Sequence, residues 1–109
     1  KTILFFKIKE INFMTTHLQS SDEIVSEKQI EFIKKSSPFN NFIITGDLNN
    51  KNASNLLQIE CNNYSNTFDN CILDYIVPFG YQFPITTKVI KIDLTNTSDH
   101  LPIYGKIII

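Results

Sequence analysis

Phe42-Ile43-Ile44-Thr45-Gly46-Asp47-Leu48-Asn49 decides how this chain is read. FIIT, residues 42–45, is a largely apolar, β-branched run without polar alternation at the centre of a strand predicted over 41–45 and buried on both faces. Gly46 ends it. Asp47 and Asn49 follow at a spacing of two, which puts both side chains on one face while the chain stays extended. A carboxylate and an amide presented there can hold a metal-bound water or a phosphate oxygen. The alternative is a plain turn, because Gly, Asp and Asn all favour turns.

Outward from that stretch, the same grammar recurs. Thr16-His17-Leu18-Gln19 closes an apolar strand, and Ser98-Asp99-His100-Leu101-Pro102 precedes one. Leu73-Asp74-Tyr75-Ile76 places a carboxylate inside an otherwise apolar run. The chain has two histidines, and both lie in these islands. His100 suits a general acid or base and Asp99 a hard-metal ligand; the alternative is a capped loop with an exposed histidine. A buried Asp74 needs a partner, and a histidine would serve, since the pair orients the ring and raises its basicity. Its alternative is an edge position facing solvent. His17, taken alone, reads as an ordinary hydrogen-bonded core histidine. Four polar clusters that each close or interrupt an apolar strand are hard to explain as independent turns. As a set they suit metal-assisted cleavage of a phosphate ester.

The remaining elements follow from periodicity. Residues 3–8 and 11–17 predict a hairpin across Lys9-Glu10. Asp22 or Ser21 caps a predicted helix over 23–35, with Ile24, Ile30, Phe32 and Ile33 as its stripe, and Ser36-Ser37-Pro38 ends it. A short helix is expected over 56–59 and loop over 62–70. Strands are expected over 71–77, 88–94 and 103–109, with Pro78-Phe79-Gly80 as a turn. The order is β-β-α-β-(α)-β-β-β, an α+β or mixed-sheet layered fold with the sheet covered on both faces.

Composition sets the bounds. The chain has 109 residues, 42% hydrophobic and 19% charged, which fits one soluble globular unit. A net charge of -1 gives no sign of a strongly basic nucleic-acid binder. All 10 basic residues are lysine, so any phosphate grip uses lysine point charges, histidine or backbone rather than an arginine fork. Cys61 and Cys71 have no metal-ligand spacing and read as two buried thiols; a disulfide cannot be read from the sequence. No run approaches transmembrane length, and the apolar stretch near Lys1 is too short for a signal peptide.

TTHLQS, a helix bearing Glu27-Lys28-Gln29-Ile30, then FIITGDLN, ILDYI and SDHLPI, in this order, resemble the endonuclease/exonuclease/phosphatase superfamily. The resemblance spans nearly the whole chain. It implies the C-terminal half of a four-layer α/β/β/α sandwich and a divalent metal, usually Mg²⁺. By motif, His17 resembles the histidine that contacts the scissile phosphate. Asp47 resembles the aspartate that orients or deprotonates the attacking water, and Asn49 its phosphate- and metal-side partner. Asp74 resembles the aspartate supporting the second histidine, His100 that main catalytic histidine, and Asp99 a metal-site carboxylate. The implied catalytic set is therefore His17, Asp47, Asn49, Asp74 and His100, and the implied metal set Asp47, Asn49 and Asp99. Water would attack phosphorus in line while the metal and imidazoles offset the growing charge.

The THL histidine resembles the sphingomyelinase, deoxyribonuclease, deadenylase and inositol-phosphatase branches, and THLQ followed by GDLN looks most like the sphingomyelinase-type group. Asn50-Lys51 after GDLN departs from the inositol-phosphatase branch, which continues with an aromatic residue and an arginine. The expected substrate is a phosphate ester in a lipid or a nucleic acid. The family's first half supplies a TxN strand and a QE-type motif whose glutamate is the main metal ligand; this chain has neither. Gln58-Ile59-Glu60 comes after GDLN and is no substitute. The expectation is thus a phosphodiesterase present as an incomplete domain, 1–109, whose partner is a missing N-terminal half. The competing class is a catalytically inactive remnant or interaction module that retains the scaffold. An unrelated small binding domain would leave the polar islands apart in space.

Overall fold

The computed structural model describes residues 2–59, 65–80, 85–93 and 97–107. The first two strands, β1 (Ile3–Ile8) and β2 (Ile11–His17), form the expected antiparallel hairpin, with Ile8 opposite Ile11. Its two-residue turn contains no glycine, so Lys9 takes the left-handed conformation, φ 54°. That placement costs a side-chain-bearing residue roughly 1–2 kcal/mol.

Helix α1 (Glu23–Ser36) carries the chain from β2 to β3 (Phe42–Asp47), which lies parallel to β2. Asp22 is its cap: Oδ1 accepts from the N–H groups of Ile24 and Val25, at 3.0 and 3.2 Å. Glu23 in the first turn and Lys34 and Lys35 in the last complement the helix dipole. The buried face is Ser26, Ile30 and Ile33, which keeps Ile30 and Ile33 of the expected stripe and leaves out Ile24 and Phe32. Ile24 and Phe32 are 68% and 60% exposed. At 100° per residue Ile24 sits about 160° around the axis from Ser26, so it cannot share that face.

Helix α2 (Ala53–Leu57) starts and stops earlier than expected, ending where Gln58 turns left-handed, φ 55°. Strand β4 (Asp74–Phe79) begins at Asp74 rather than at residue 71 and pairs antiparallel with β3. Cys71 instead closes a tight turn, exchanging backbone hydrogen bonds with Phe68 at 2.9 and 3.2 Å. Pro78 and Phe79 belong to the strand, and Gly80, at φ 80°, makes the turn. The order β1-β2-β3-β4 makes β4 an edge strand, the position at which a proline is tolerated in a sheet. Cys71 is free and half-buried, not fully buried as expected, and Cys61 lies outside the described residues.

Side-chain alternation divides the sheet into two faces. Met14, Phe42, Ile44, Tyr75 and Val77 join Ile30 and Ile33 of α1 and Leu57 of α2 in the main core. The opposite face meets a second, two-stranded antiparallel sheet, β5 (Ile85–Val89) with β6 (Ile103–Ile107). The approach is close: a Cβ on Gly105 would lie 2.5 Å from Ile76 Cγ2, and Thr87 Oγ1 donates to Ile76 O at 2.8 Å. β5 starts at Ile85, before the expected 88, and the expected 94–96 and 108–109 fall outside the described residues. The fold is α+β. Both faces of β3 are covered, with Phe42, Ile43 and Ile44 fully buried. At β1 the second face stays open, where Leu4 and Ile8 are each 55% exposed. Among the described residues no helix is long and apolar enough to cross a membrane.

Candidate active site

The site is one rung of the four-stranded sheet. His17 ends β2, Asp47 ends β3 and Asp74 opens β4; His17 is opposite Asp47, and Asp47 is opposite Asp74. Residues opposite one another present their side chains to the same face. Here that face is the one turned away from the helices, because Met14, Ile44 and Tyr75 occupy the other. Gly46 makes the rung possible. Its φ is 132°, and a Cβ there would overlap Thr16 O and stand 3.1 and 3.2 Å from Thr16 N and C. Only glycine lets β3 approach β2 this closely immediately before the rung.

The backbone beyond the strands locks the rung. Leu18 donates to Asp47 O at 2.9 Å, and Leu48 to Leu73 O at 2.8 Å. Asn49, left-handed at φ 46°, donates its side-chain amide to Leu18 O at 2.8 Å and its N–H to Asp47 Oδ1 at 2.9 Å. The turn reading of the GDLN stretch is the one observed: the chain does not stay extended through Asn49, although Asp47 still presents one oxygen to the cleft. Asp47 Oδ1 builds the turn, and Asp47 Oδ2 faces the cleft. Asn50, 2% exposed, donates to Ser26 Oγ at 3.0 Å and ties the same loop to α1.

His100 arrives from the segment before β6. Its Nδ1 lies 2.7 Å from Asp74 Oδ2. A carboxylate at that distance accepts a hydrogen bond from Nδ1–H and leaves Nε2 directed at the cleft, 3.7 Å from Asp47 Oδ2. His17 Nε2 is 3.4 Å from the same oxygen. Asp47 Oδ2 thus lies between two imidazoles. Asp99 is more remote: its side chain is 80% exposed and Oδ1 is 4.0 Å from His100 Nε2. His17, Asp47, Asn49, Asp74, Asp99 and His100 all line a single cleft, and Lys51 lines it too.

Two groups titrate away from their ordinary values. Burial raises the Asp47 carboxyl and the neighbouring Asp74 charge adds to this; the Asn49 N–H and the two imidazoles pull the other way without cancelling it. Burial on its own lowers His100, but the Asp74 hydrogen bond, together with the charges of Asp74, Asp47 and Asp99, outweighs it and the net shift is upward. Asp47, Asp74 and His100 each offer one ligand atom, all within 4.8 Å of one another, and can hold a metal ion as a group. That group shares Asp47 with the expected metal set and brings Asp74 and His100 beside it. Asn49 has committed its amide nitrogen to Leu18, and its Oδ1 is the atom left for a ligand.

Sequence reasoning missed Thr67 and Phe68. Thr67 is 1% exposed, and Phe68 stacks on His100 with ring centroids 4.7 Å apart and planes at 31°. Both fall in a polar stretch read as loop, where nothing marks one threonine among its neighbours. Comparison with protein-family models, with curated proteins and with solved structures returns no match for this chain.

Proposed function

We propose that this chain carries the hydrolytic centre of a metal-dependent phosphodiesterase. The observation that carries the reading is the Asp74–His100 pair, 2.7 Å apart, with Nε2 directed at an inward-facing carboxylate, Asp47. A dyad that fixes one tautomer and aims the other nitrogen into a cleft is the arrangement a general acid or base requires. Asp47, with its affinity for a proton raised by burial, accepts from the attacking water. His100, whose proton is held more tightly than usual, hydrogen-bonds to the phosphoryl oxygens as charge grows on them. His17 faces the same space from the far side, and Lys51 supplies the point charge expected in a chain without arginine.

The donor set fits a divalent cation. Asp47 and Asp74 would hold Mg²⁺ or Mn²⁺ through carboxylate oxygens alongside waters and substrate oxygens, and His100 keeps Nε2 for the phosphoryl group. When bound, the ion supplies Lewis-acid polarisation of the phosphoryl group. Two carboxylates fall short of the oxygen-rich shell Mg²⁺ prefers, so the reading assigns a further carboxylate to a partner half-domain and expects weak binding by this chain alone. The substrate is a phosphodiester of a lipid or a nucleic acid.

The test has two arms. Mn²⁺ added to the chain should broaden the His100 ring signals in NMR, and an Asp47→Asn/Asp74→Asn double variant should lose that broadening. Turnover of bis-p-nitrophenyl phosphate, sphingomyelin and single-stranded DNA should be low for the chain alone and rise when a glutamate-bearing half is supplied. His100→Ala should then remove roughly a hundredfold or more of it. Turnover indifferent to His100→Ala and Asp47→Asn would refute the proposal. No turnover with the half supplied would leave the inactive scaffold as the better reading.

A further inference from the structure

We propose that Thr67, assisted by Phe68, is the positioning residue of the Asp74–His100 pair. Its hydroxyl holds the strand end that bears one member, and its carbonyl holds the segment that bears the other. Thr67 Oγ1 accepts from the N–H groups of Leu73 and Asp74, at 3.1 and 3.2 Å. Thr67 O accepts from the N–H of Leu101, the residue after His100, at 2.8 Å. Phe68 then lies against the imidazole itself.

Each link does something the rest of the fold does not. Asp74 is the first residue of an edge strand, so its backbone has a sheet partner on one side only. Leu48 N–H engages Leu73 O from β3, and the threonine hydroxyl engages the Leu73 and Asp74 N–H groups. His100 is held locally by Ser98, whose Oγ accepts from His100 N–H at 3.1 Å, and Pro102 is tied to Ile90 at 2.8 Å. Neither contact fixes the imidazole relative to Asp74. Thr67 hydrogen-bonds to both segments. It is anchored in turn by its own N–H to Cys71 O at 3.0 Å. Because it is 1% exposed, water does not replace a bond that is lost there. A short imidazole–carboxylate bond has a narrow tolerance, so a shift of a few tenths of an ångström in either segment would open it.

The inference rests on reading the pair as the acid–base element of the proposed function. Its test does not depend on turnover. In Thr67→Val the shape is kept and the acceptor oxygen is lost; in Thr67→Ser the oxygen is kept. The readout is the downfield proton resonance of His100 Nδ1–H and the ring signals around it, assigned against a His17→Gln variant. Thr67→Val should lose or displace the His100 resonance while the far-UV circular dichroism stays wild-type, and Thr67→Ser should restore it. A folded Thr67→Val with an unchanged His100 resonance overturns the proposal, as does a serine variant displaced as far as valine. If valine does not fold, Thr67→Cys, with its weaker acceptor, is read the same way: displacement supports and no change overturns. Where turnover is measurable, Thr67→Val should lower kcat roughly ten- to a hundredfold with KM little changed. Absent turnover in every variant even with the glutamate-bearing half supplied, with the resonance responding as stated, would defeat the phosphodiesterase reading and leave the positioning role standing.

Discussion

Gly46→Ala is the substitution that most directly tests how the rung is built. At an ordinary position this change stabilises a protein by about 0.4–1 kcal/mol, because it restricts the unfolded chain. Here the sign reverses for two independent reasons. The backbone sits at φ 132°, a region open to glycine, and forcing another residue into it costs about 1–3 kcal/mol. The new methyl also runs into the carbonyl of Thr16 and stands 3.1 and 3.2 Å from Thr16 N and C, all backbone atoms of the paired strand. No rotamer change relieves a backbone clash, so β2 and β3 must part, at a cost like that of overpacking a core, about 1–3 kcal/mol. Together the two effects remove about 2–6 kcal/mol, a large share of the ~5–15 kcal/mol a domain possesses. Urea unfolding followed by circular dichroism measures the difference. The paired residues next along are His17 and Asp47, so the broadening of His100 and His17 signals by Mn²⁺ should weaken as well. A Gly46→Ala protein within 1 kcal/mol of the parent would refute the claim that glycine sets the β2–β3 approach.

The pH dependence of stability follows from the two shifted groups. His100 holds its proton more tightly when folded, so its contribution is complete below the unfolded value of 6.5 and is lost as pH rises through the higher folded one. Asp47 also binds its proton more tightly when folded, so the fold loses stability as pH rises from 3.8 through the raised value. Urea midpoints should therefore be higher at pH 6 than at pH 8, and Asp74→Asn should flatten that difference; an unchanged difference would count against the pair. Asp22→Ala should cost about 1 kcal/mol through loss of the α1 cap, read as a lower urea midpoint with an unchanged slope.

How far the sequence could be read depended on whether the signal was local. The hairpin and the Asp22 cap are set by neighbours in the chain, and their bounds emerge from alternation and capping chemistry alone. The convergence of His17, Asp47 and Asp74 was legible because they stand at ends of apolar strands, which lie together in a sheet; His100 joins them from the segment before β6. The helix stripe was misread because Ile24 and Phe32 are apolar without being inward; only the angle from Ser26 separates them. Pro78 looked like a turn because its tolerance depends on β4 being an edge, which is a property of the sheet. Thr67 was invisible for the same kind of reason. Its importance lies in three bonds to two segments that no local pattern connects to it.

The single rung that joins His17, Asp47 and Asp74 has a consequence for how the chain tolerates changes in length. A substitution on the rung alters one group and leaves the others aimed. Adding or removing one residue inside β2, β3 or β4 turns every side chain beyond it to the opposite face. One such event would carry a carboxylate or an imidazole into the apolar layer beneath the helices. Connections are far more forgiving, since doubling a flexible loop costs about 0.6 kcal/mol. Residues 37–41, between α1 and β3, could lengthen without disturbing the pairing of Thr16 with Gly46. The three strands therefore act as counted lengths, and the number of residues between Phe42 and Asp47 matters to the cleft as much as their identity.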